Sequence, residues 1–269
     1  MTIHGFLTVK EDFGRLYDHL DCYDEVFAVE LPGHNGEVDF AKFTVESTKK
    51  AVLSAYDALR AKHDQVDVVG FSMGGTLATW LCAERDVHKA VLLAPANKFI
   101  NLFMPLETAK FFSKVKRQAY RNAKGSAKEK RQAVKMAMKP HRENKKIARK
   151  IAKERTFKYM NFHTFGVFRK LVKMSNKAVE GNSPIQTRSL ILWGKLDELV
   201  PHKSVQYVLD HFVNSEFKIY DDLGHAMLYT NHDDLLITDT MKFLTEGAFC
   251  KTVSHRDLPV IHDESEEPK

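Results

Sequence analysis

Residues 66–79, V-D-V-V-G-F-S-M-G-G-T-L-A-T, constrain the fold of this 269-residue chain more than any other stretch. β-Branched residues up to Val69 predict a short strand, and a helix is expected from Gly74. Between them Ser72 lies in a turn so tight that glycine is needed two positions to either side, as at Gly70 and Gly74. Such a turn raises the serine hydroxyl above the end of a sheet. The alternative is an ordinary glycine-rich turn with a solvated serine, because so short a pattern also arises by chance.

Apolar runs of strand length alternate with helical periodicity along the rest of the chain. Strands are predicted at 2–6, 26–30, 66–69, 89–94, 189–193 and 217–220. Helices are predicted at 11–20, 43–63, from 74, at 202–211 and at 233–245. Strands that alternate with helices, without tight hairpins, indicate an α/β fold with a mostly parallel sheet and helices on both faces.

Composition excludes several other classes of protein. No run of about 18 apolar residues is present, which argues against a membrane span. The N-terminal residues lack the charged and apolar regions of a secretory signal. Cys22, Cys82 and Cys250 have neither disulfide-framework nor zinc-site spacing, and no other cluster has metal-ligand spacing. We therefore expect a cytoplasmic protein with no metal.

Three residues with complementary chemistry follow predicted strands at the same edge of the sheet. Ser72 follows the third strand, Asp197 follows the fifth within W-G-K-L-D-E-L-V-P, and His225 follows the last within L-G-H-A-M. Ligands of parallel sheets bind beyond the carboxyl ends of the strands. A histidine there can take the serine proton, and a carboxylate can orient the imidazole. Glu198 or Asp222 is the alternative to Asp197 as the acid, and His232 is the alternative to His225 as the base.

Together with H-G-F near the start and L-P-G-H after the second strand, these motifs resemble the serine α/β-hydrolase superfamily. The chain is most similar to its carboxylesterase and monoacylglycerol-lipase-like branch, which includes the serine aminopeptidase and hydrolase-4 types. The resemblance covers about residues 2–246. It implies Ser72 as nucleophile, Asp197 as orienting acid and His225 as base, with no cofactor. It also implies an oxyanion hole formed by the backbone N–H groups of Phe6 and Met73.

Two further histidines lie beside these motifs. His4 and His34 are interpreted as structural hydrogen-bonding residues and not as catalysts. The chain also begins two or three residues before the H-G-F motif, where relatives have a hairpin and a full strand. A shortened N-terminal sheet edge with a very short first strand is therefore expected.

Residues 99–183 interrupt the alternating pattern and are predicted to form a helical cap, or lid, on a core of residues 1–98 and 184–250. A first helix is expected at 106–122, and a second begins after a capping box at Ser126 and ends at Pro140. Two more are expected around 147–155 and around 165–172. A cap in this position would shape a substrate pocket and exclude water. Its candidate lining residues are Phe99, Phe103, Met104, Phe162 and Phe165.

Charge is divided sharply along the chain. Residues 110–177 contain 23 Lys and Arg against three acids, a net of +20, whereas the remainder carries −14. The favoured interpretation of this basic surface is a solvated face, since no nucleic-acid recognition motif accompanies it. Weak attraction to anionic membrane surfaces or to anionic substrates is the alternative. The acidic tail, residues 251–269, is predicted to be disordered.

The sequence therefore predicts a serine hydrolase that cleaves carboxylic esters, with short or medium acyl esters or monoacylglycerols as substrates. An amidase or peptidase, a thioesterase or a C–C bond hydrolase would need the same three residues. Epoxide hydrolases and dehalogenases are disfavoured because they use an aspartate where Ser72 stands. The non-enzymatic alternatives are a ligand-binding protein on a hydrolase scaffold and a nucleic-acid-associated protein. Acyl-chain length and oligomeric state are not predicted.

Overall fold

The structure is a computed structural model that describes residues 1–34, 39–98, 105–151, 153–154, 159–230 and 233–246, with 105–111 and 148 described by their backbone alone. Its strands are β1 (Thr2–Ile3), β2 (Ala28–Val29), β3 (Val68–Phe71), β4 (Lys89–Leu93), β5 (Arg188–Gly194) and β6 (Ser215–Tyr220). Its α-helices are α1 (Val45–Arg60), α2 (Met73–Glu84), α3 (Pro105–Asn122), α4 (Ala127–Ala137), α5 (Lys139–Ile151), α6 (Phe162–Asn182), α7 (His202–Leu209) and α8 (Asp234–Thr245).

The six strands form one parallel sheet in the order β2-β1-β3-β4-β5-β6. Every residue of β3 and β4 is buried, as expected for central strands that helices cover on both faces. The expected α/β architecture is therefore confirmed. Because all strands run in the same direction, their carboxyl ends lie along a single edge, and the loops that follow β3, β5 and β6 meet there.

The apolar periodicity of the sequence accounts for the main helices. In α1, Val52, Tyr56 and Leu59 step by three or four residues and are buried against the sheet. Helix α2 has no polar face, and its residues from Met73 to Cys82 are all buried. It is covered on its outer side by α6, whose Ser175 hydroxyl donates a hydrogen bond of 2.9 Å to the Thr76 carbonyl.

Four α-helices of the described residues, α3 to α6, lie between β4 and β5 and are called the inserted helices below. The capping box predicted at Ser126 is present, with the Ser126 amide and hydroxyl both donating to the Glu129 carboxylate. Pro140 does not simply end this helix: α4 ends at Ala137, and Pro140 lies in the first turn of α5. Proline is tolerated there because first-turn amides have no intrahelical partner.

One other expectation needs adjustment, and one is confirmed. The helix predicted at 11–20 is a 3₁₀ segment, Lys10–His19, broken at Gly14 by a positive φ of 50°. The first strand is two residues long, as expected for a short first strand. The division into a core, a cap and a tail stays a prediction, and residues 251–269 lie outside the described residues.

Candidate active site

Ser72 occupies the turn between β3 and α2. Its φ of 55° and ψ of −113° are rare for any residue other than glycine. The Ser72 amide donates to the Leu93 carbonyl at 2.8 Å, and the Ser72 carbonyl accepts from the amides of Thr76 and Ala96 at 3.1 and 3.2 Å. Hydrogen bonds from three sides thus hold the turn in this uncommon conformation.

Glycine is required on both sides of Ser72 because other backbone segments pass close by. A Cβ at Gly70 would lie 2.4 Å from the Gly74 carbonyl oxygen, and one at Gly74 would lie 1.9 Å from the Ile3 carbonyl oxygen. Both distances are far below van der Waals contact. The sequence pattern around Ser72 therefore reflects how tightly β3, α2 and β1 converge.

A chain of hydrogen bonds joins the three residues predicted from the sequence. Ser72 Oγ lies 3.0 Å from His225 Nε2, and His225 Nδ1 lies 2.8 Å from Asp197 Oδ2. The Asp197 side chain is fully buried, and its Oδ1 accepts the amides of Leu199 and Val200, each at 2.8 Å. An ionised carboxylate accepts hydrogen bonds but cannot donate them, so His225 Nδ1 carries the imidazole proton that bonds Asp197. His225 Nε2 is then free to accept the serine proton. This arrangement can activate the hydroxyl for nucleophilic attack.

Backbone contacts bring the loops after β5 and β6 together. The Leu196 amide donates to the Leu223 carbonyl at 2.9 Å, and the Lys195 amide donates to the Tyr220 carbonyl at 2.8 Å. A Cβ at Gly194 would lie 2.3 Å from the Leu223 oxygen, so glycine permits this close approach. The carboxylate and the imidazole are therefore held by two loops that are bonded to each other.

The alternative acids do not occupy the same position. Glu198 Oε1 instead lies 3.8 Å from His141 Nδ1, and Asp222 is exposed. Asp197 is the acid that the structure brings to the imidazole of His225. His232 lies outside the described residues.

His4 and His34 lie beside this site within an aromatic cluster. The Leu31 amide donates to His4 Nε2 at 3.2 Å, so the His4 ring ties the first strand to the segment after β2. Phe6 stacks on Phe168 at a ring-centroid distance of 5.2 Å and also packs near His34. Burial, with a smaller contribution from His4, lowers the pKa of His34 to about 4, so His34 is neutral at neutral pH.

The two amides predicted to bind an oxyanion lie in segments next to Ser72. Met73 is the first residue of α2, where a backbone N–H has no intrahelical acceptor. Gly5 packs so closely that a Cβ there would lie 3.3 Å from Ser72 Cβ, which places the adjoining Phe6 at the same wall. Phe6 and Ser72 line one cavity. The oxyanion-binding role of the two amides stays a prediction.

A cavity of about 350 Å³ opens beside the Ser72 hydroxyl. Of the pocket residues predicted from sequence, Phe165 lines this cavity, whereas Phe162 is 100% exposed and does not. The prediction for Phe162 is therefore wrong. Phe162 is the first residue of α6, where no preceding turn of the helix packs against its side chain, and it is fully exposed. Phe99, Phe103 and Met104 lie outside the described residues.

Sequence reasoning missed one wall of the cavity, which α5 provides. Asn144 is buried, its Nδ2 donates to the Asp222 carbonyl at 2.7 Å, and its Oδ1 accepts the Gly224 amide at 3.2 Å. It therefore ties α5 to the loop that carries His225. His141, Lys145 and Arg149 of the same helix also line the cavity. Their four-residue spacing was visible in the sequence, but nothing in the sequence shows which face of α5 meets the core.

Comparisons with known proteins agree with this fold. Residues 1–232 match the family described as alpha/beta hydrolase fold. With the parallel sheet and the serine turn described above, this match shows that the chain belongs to the alpha/beta hydrolase fold family. A pimeloyl-[acyl-carrier protein] methyl ester esterase of Neisseria meningitidis is 35% identical over 82 residues, which cover 30% of this chain and 29% of the relative. The match thus spans less than a third of that relative's length.

Solved structures of the same fold are more distant in sequence. A monoacylglycerol lipase of Paleococcus ferrophilus has a TM-score of 0.63 at 15% identity, covering 91% of this chain and 93% of its own. A meta-cleavage product hydrolase of Pseudomonas fluorescens has a TM-score of 0.58 at 16% identity, covering 91% and 90%. At these identities the likeness supports the fold alone.

The described residues contain neither a membrane-spanning helix nor a metal-binding cluster. None of their helices combines the length and the apolar character needed to cross a membrane. No group of three or more His, Cys, Asp or Glu side chains among them is arranged to hold a metal ion.

Proposed function

We propose that this protein is a serine hydrolase that cleaves carboxylic esters through an acyl-enzyme. The observation that carries the proposal is the hydrogen-bonded chain from Ser72 through His225 to the buried Asp197, at the wall of a cavity. Ser72 is assigned as the nucleophile, His225 as the general base and acid, and Asp197 as the group that orients the imidazole.

The reaction follows from this geometry. Ser72 Oγ attacks the ester carbonyl carbon while His225 Nε2 takes the hydroxyl proton. The negative charge on the carbonyl oxygen is stabilised by the Phe6 and Met73 amides, each contributing about 3 kcal/mol. The imidazolium then protonates the departing alcohol. A water molecule, deprotonated by the same nitrogen, attacks the acyl-enzyme; the acyl–Oγ bond breaks, the acid is released, and His225 Nε2 returns the proton to Ser72 Oγ.

Cavity size and lining favour a small apolar acyl group. About 350 Å³ is near the lower end of the range for small-molecule sites, which suits short or medium chains or a monoacylglycerol-like ester. Apolar residues form much of the wall: Phe6, Leu7, Phe71, Ile151, Met160, Phe165, Leu196 and Leu199. The similarity to a methyl ester esterase also favours an ester over an amide.

The assignment is tested by labelling with a fluorophosphonate, which reacts with activated serines. We expect the wild type to be labelled and Ser72→Ala to lose both labelling and ester hydrolysis, by at least about 10³-fold. Ser189→Ala is a matched control, because Ser189 is also buried but lies in β5 away from the cavity.

Labelling that survives in Ser72→Ala would contradict the proposal, as would a folded wild type that is never labelled. The second result would favour a ligand-binding protein on a hydrolase scaffold. Nitrophenyl esters of graded chain length, with matched amides and thioesters, would then separate an esterase from an amidase or a thioesterase.

A further inference from the structure

One face of α5 makes part of the cavity wall positively charged. His141, Lys145 and Arg149 are spaced by four residues, so they follow one another along a single helix face, and all three line the cavity with Ser72. His141 is half-buried, whereas Lys145 and Arg149 are exposed. The two cations therefore lie towards the mouth of the cavity and the imidazole lies deeper.

Nearby acids do not neutralise these two cations. Glu198 also lines the cavity, but its carboxylate lies 3.8 Å from His141 Nδ1. In the described ranges no carboxylate oxygen is recorded within 4 Å of the Lys145 or Arg149 side-chain nitrogens, whereas Lys139 on the same helix pairs with Glu143 at 3.8 Å. The mouth of the cavity thus presents two cations without a counter-ion among those residues.

The positive charge of this wall also affects the imidazole of His141. Burial, together with the charges of Lys145 and Lys116, lowers the pKa of His141 below its usual value. His141 is therefore neutral at neutral pH and can still donate or accept a hydrogen bond. The positive charge available to a ligand at this wall comes from Lys145 and Arg149, while the Glu198 carboxylate lies on the His141 side of the cavity.

We propose that Lys145 and Arg149 form an anion subsite at the mouth of the cavity, and that the preferred ester carries a carboxylate or phosphate remote from the bond that is cleaved. The proposal rests on the ester hydrolysis proposed above and names its substrate class. Ammonium and guanidinium groups bind such anions through charge-assisted hydrogen bonds. The apolar wall would hold the chain that joins the anion to the ester.

The position of the charges favours an anion on the substrate itself over an anionic macromolecular surface. Arg142, Lys146 and Lys150 belong to the same helix but do not line the cavity. A membrane or an acidic protein would meet these residues as readily as Lys145 and Arg149. A substrate bound next to Ser72 would meet only the cations of the cavity wall.

The test compares two soluble esters of equal length, a methyl alkanoate and the monomethyl ester of the corresponding dicarboxylic acid. The readout is the ratio of their kcat/KM values, anionic over neutral. We expect Lys145→Gln with Arg149→Gln to lower this ratio about tenfold, mainly through KM, because about 1.4 kcal/mol of charge-assisted binding is lost. Lys146→Gln with Lys150→Gln removes the same charge from positions of α5 that do not line the cavity and should leave the ratio within about twofold.

Outcomes of this comparison separate the two proposals. If Ser72 is not labelled and neither ester is hydrolysed, the proposed ester hydrolysis fails. If both esters are hydrolysed and the ratio is the same in wild type and both double variants, the subsite is overturned. An equal fall in both double variants also overturns it, since a diffuse field of the helix would then explain the preference. Thermal melting of each variant shows that it is folded.

A further arm presents the neutral ester in vesicles of phosphatidylcholine with and without phosphatidylserine. An effect of Lys145→Gln with Arg149→Gln that appears only with the anionic vesicles, and not with the soluble anionic ester, would overturn the subsite in favour of a membrane surface. A lowered ratio with the soluble esters alone would support it.

Discussion

Individual side chains near Ser72 are held mainly by main-chain groups. Ser72 keeps its rare backbone angles through three hydrogen bonds, and Asp197 is fixed by the amides of Leu199 and Val200. The Asp197 carboxylate is therefore held in position by main-chain groups, which is the kind of preorganisation on which electrostatic catalysis depends.

His34 gives a prediction at the same scale. Its Nδ1 donates to the Pro32 carbonyl at 3.1 Å, and its buried Nε2 has no hydrogen-bond partner within the described part of the chain. Its pKa is about 4 in the folded protein and about 6.5 when unfolded. Between pH 6.5 and pH 4 the unfolded chain binds a proton at His34 that the folded protein does not. The free energy of unfolding therefore falls as the pH is lowered from 6.5 through 4. We expect a loss of about 3 kcal/mol in the free energy of unfolding from this group.

The measurement is urea unfolding of wild type and His34→Gln at pH 7 and pH 4. From pH 7 to pH 4, the free energy of unfolding of the variant should fall by about 2 to 3 kcal/mol less than that of the wild type, because the variant lacks the titrating group. His19→Gln, on the exposed face of the 3₁₀ segment, is the control and should follow the wild type. An identical pH dependence in wild type and His34→Gln would contradict the expectation.

Residue identities at the site could be predicted from the sequence where a strand preceded them. Ser72, Asp197 and His225 each follow a strand, and the sheet topology alone brings such residues to one edge. Phe162 failed as a pocket residue because aromatic spacing within a helix does not reveal which residue begins it. Asn144 was missed because its contacts with Asp222 and Gly224 join segments about 80 residues apart.

Helix α5 is joined by hydrogen bonds to the loop that carries His225. Its Asn144 side chain bonds the loop that carries His225 at two main-chain positions and also donates to the Pro140 carbonyl at 3.0 Å. The inserted helices and the sheet edge thus share a contact one residue away from the imidazole. Movement of α5 would be transmitted to the position of His225.

We therefore expect Asn144→Ala to slow the reaction of Ser72 about tenfold, because the loop is released and two main-chain groups lose their partner. The measurement is the rate of fluorophosphonate labelling with kcat and KM for a neutral ester, since a positioning role should lower kcat and the labelling rate. Asn182→Ala removes an exposed asparagine that bonds only its own helix, at the Ala178 carbonyl, and serves as the control.

Thermal melting of both asparagine variants distinguishes misplacement of His225 from global unfolding. A folded Asn144→Ala that is labelled at the wild-type rate would show that the loop holds His225 without α5.

Element types were predicted more reliably than element boundaries. The strands and the long helices follow from apolar periodicity, and the Ser126 capping box marks the start of α4. The segment Lys10–His19 was expected as a regular helix, but the positive φ of Gly14 breaks it. Pro140 was interpreted as a helix end, although a proline is equally compatible with the first turn of the next helix.

For the whole molecule, the parallel sheet could be predicted because strands and helices alternate, but the strand order could not. The order β2-β1-β3 places the first strand between the second and the third, and no periodicity in the sequence specifies such a crossover. The prediction that the inserted helices lie over the sheet edge likewise came from the resemblance to a known family, because no pattern of residues in the sequence specifies it.

The basic charge of residues 110–177 supports a prediction for the whole protein. If this charge attracts anionic membranes, the alternative to a solvated face, the protein should co-sediment with vesicles containing phosphatidylserine at low ionic strength and be released as salt is added, because each cation near such a surface contributes about 1 kcal/mol. Lys146→Gln with Lys150→Gln should weaken this binding. Equal binding to neutral and anionic vesicles at low salt would contradict the prediction.

The separation of charge between the inserted helices and the rest of the chain has a physical consequence of its own. A net of +20 on one segment against −14 on the remainder gives the molecule a permanent electric dipole moment. Among the described residues of the basic segment, Lys145 and Arg149 of α5 border the cavity. An approaching anion therefore exerts a torque that turns the cavity mouth towards it before contact, and this rotational preference weakens as the Debye length shortens.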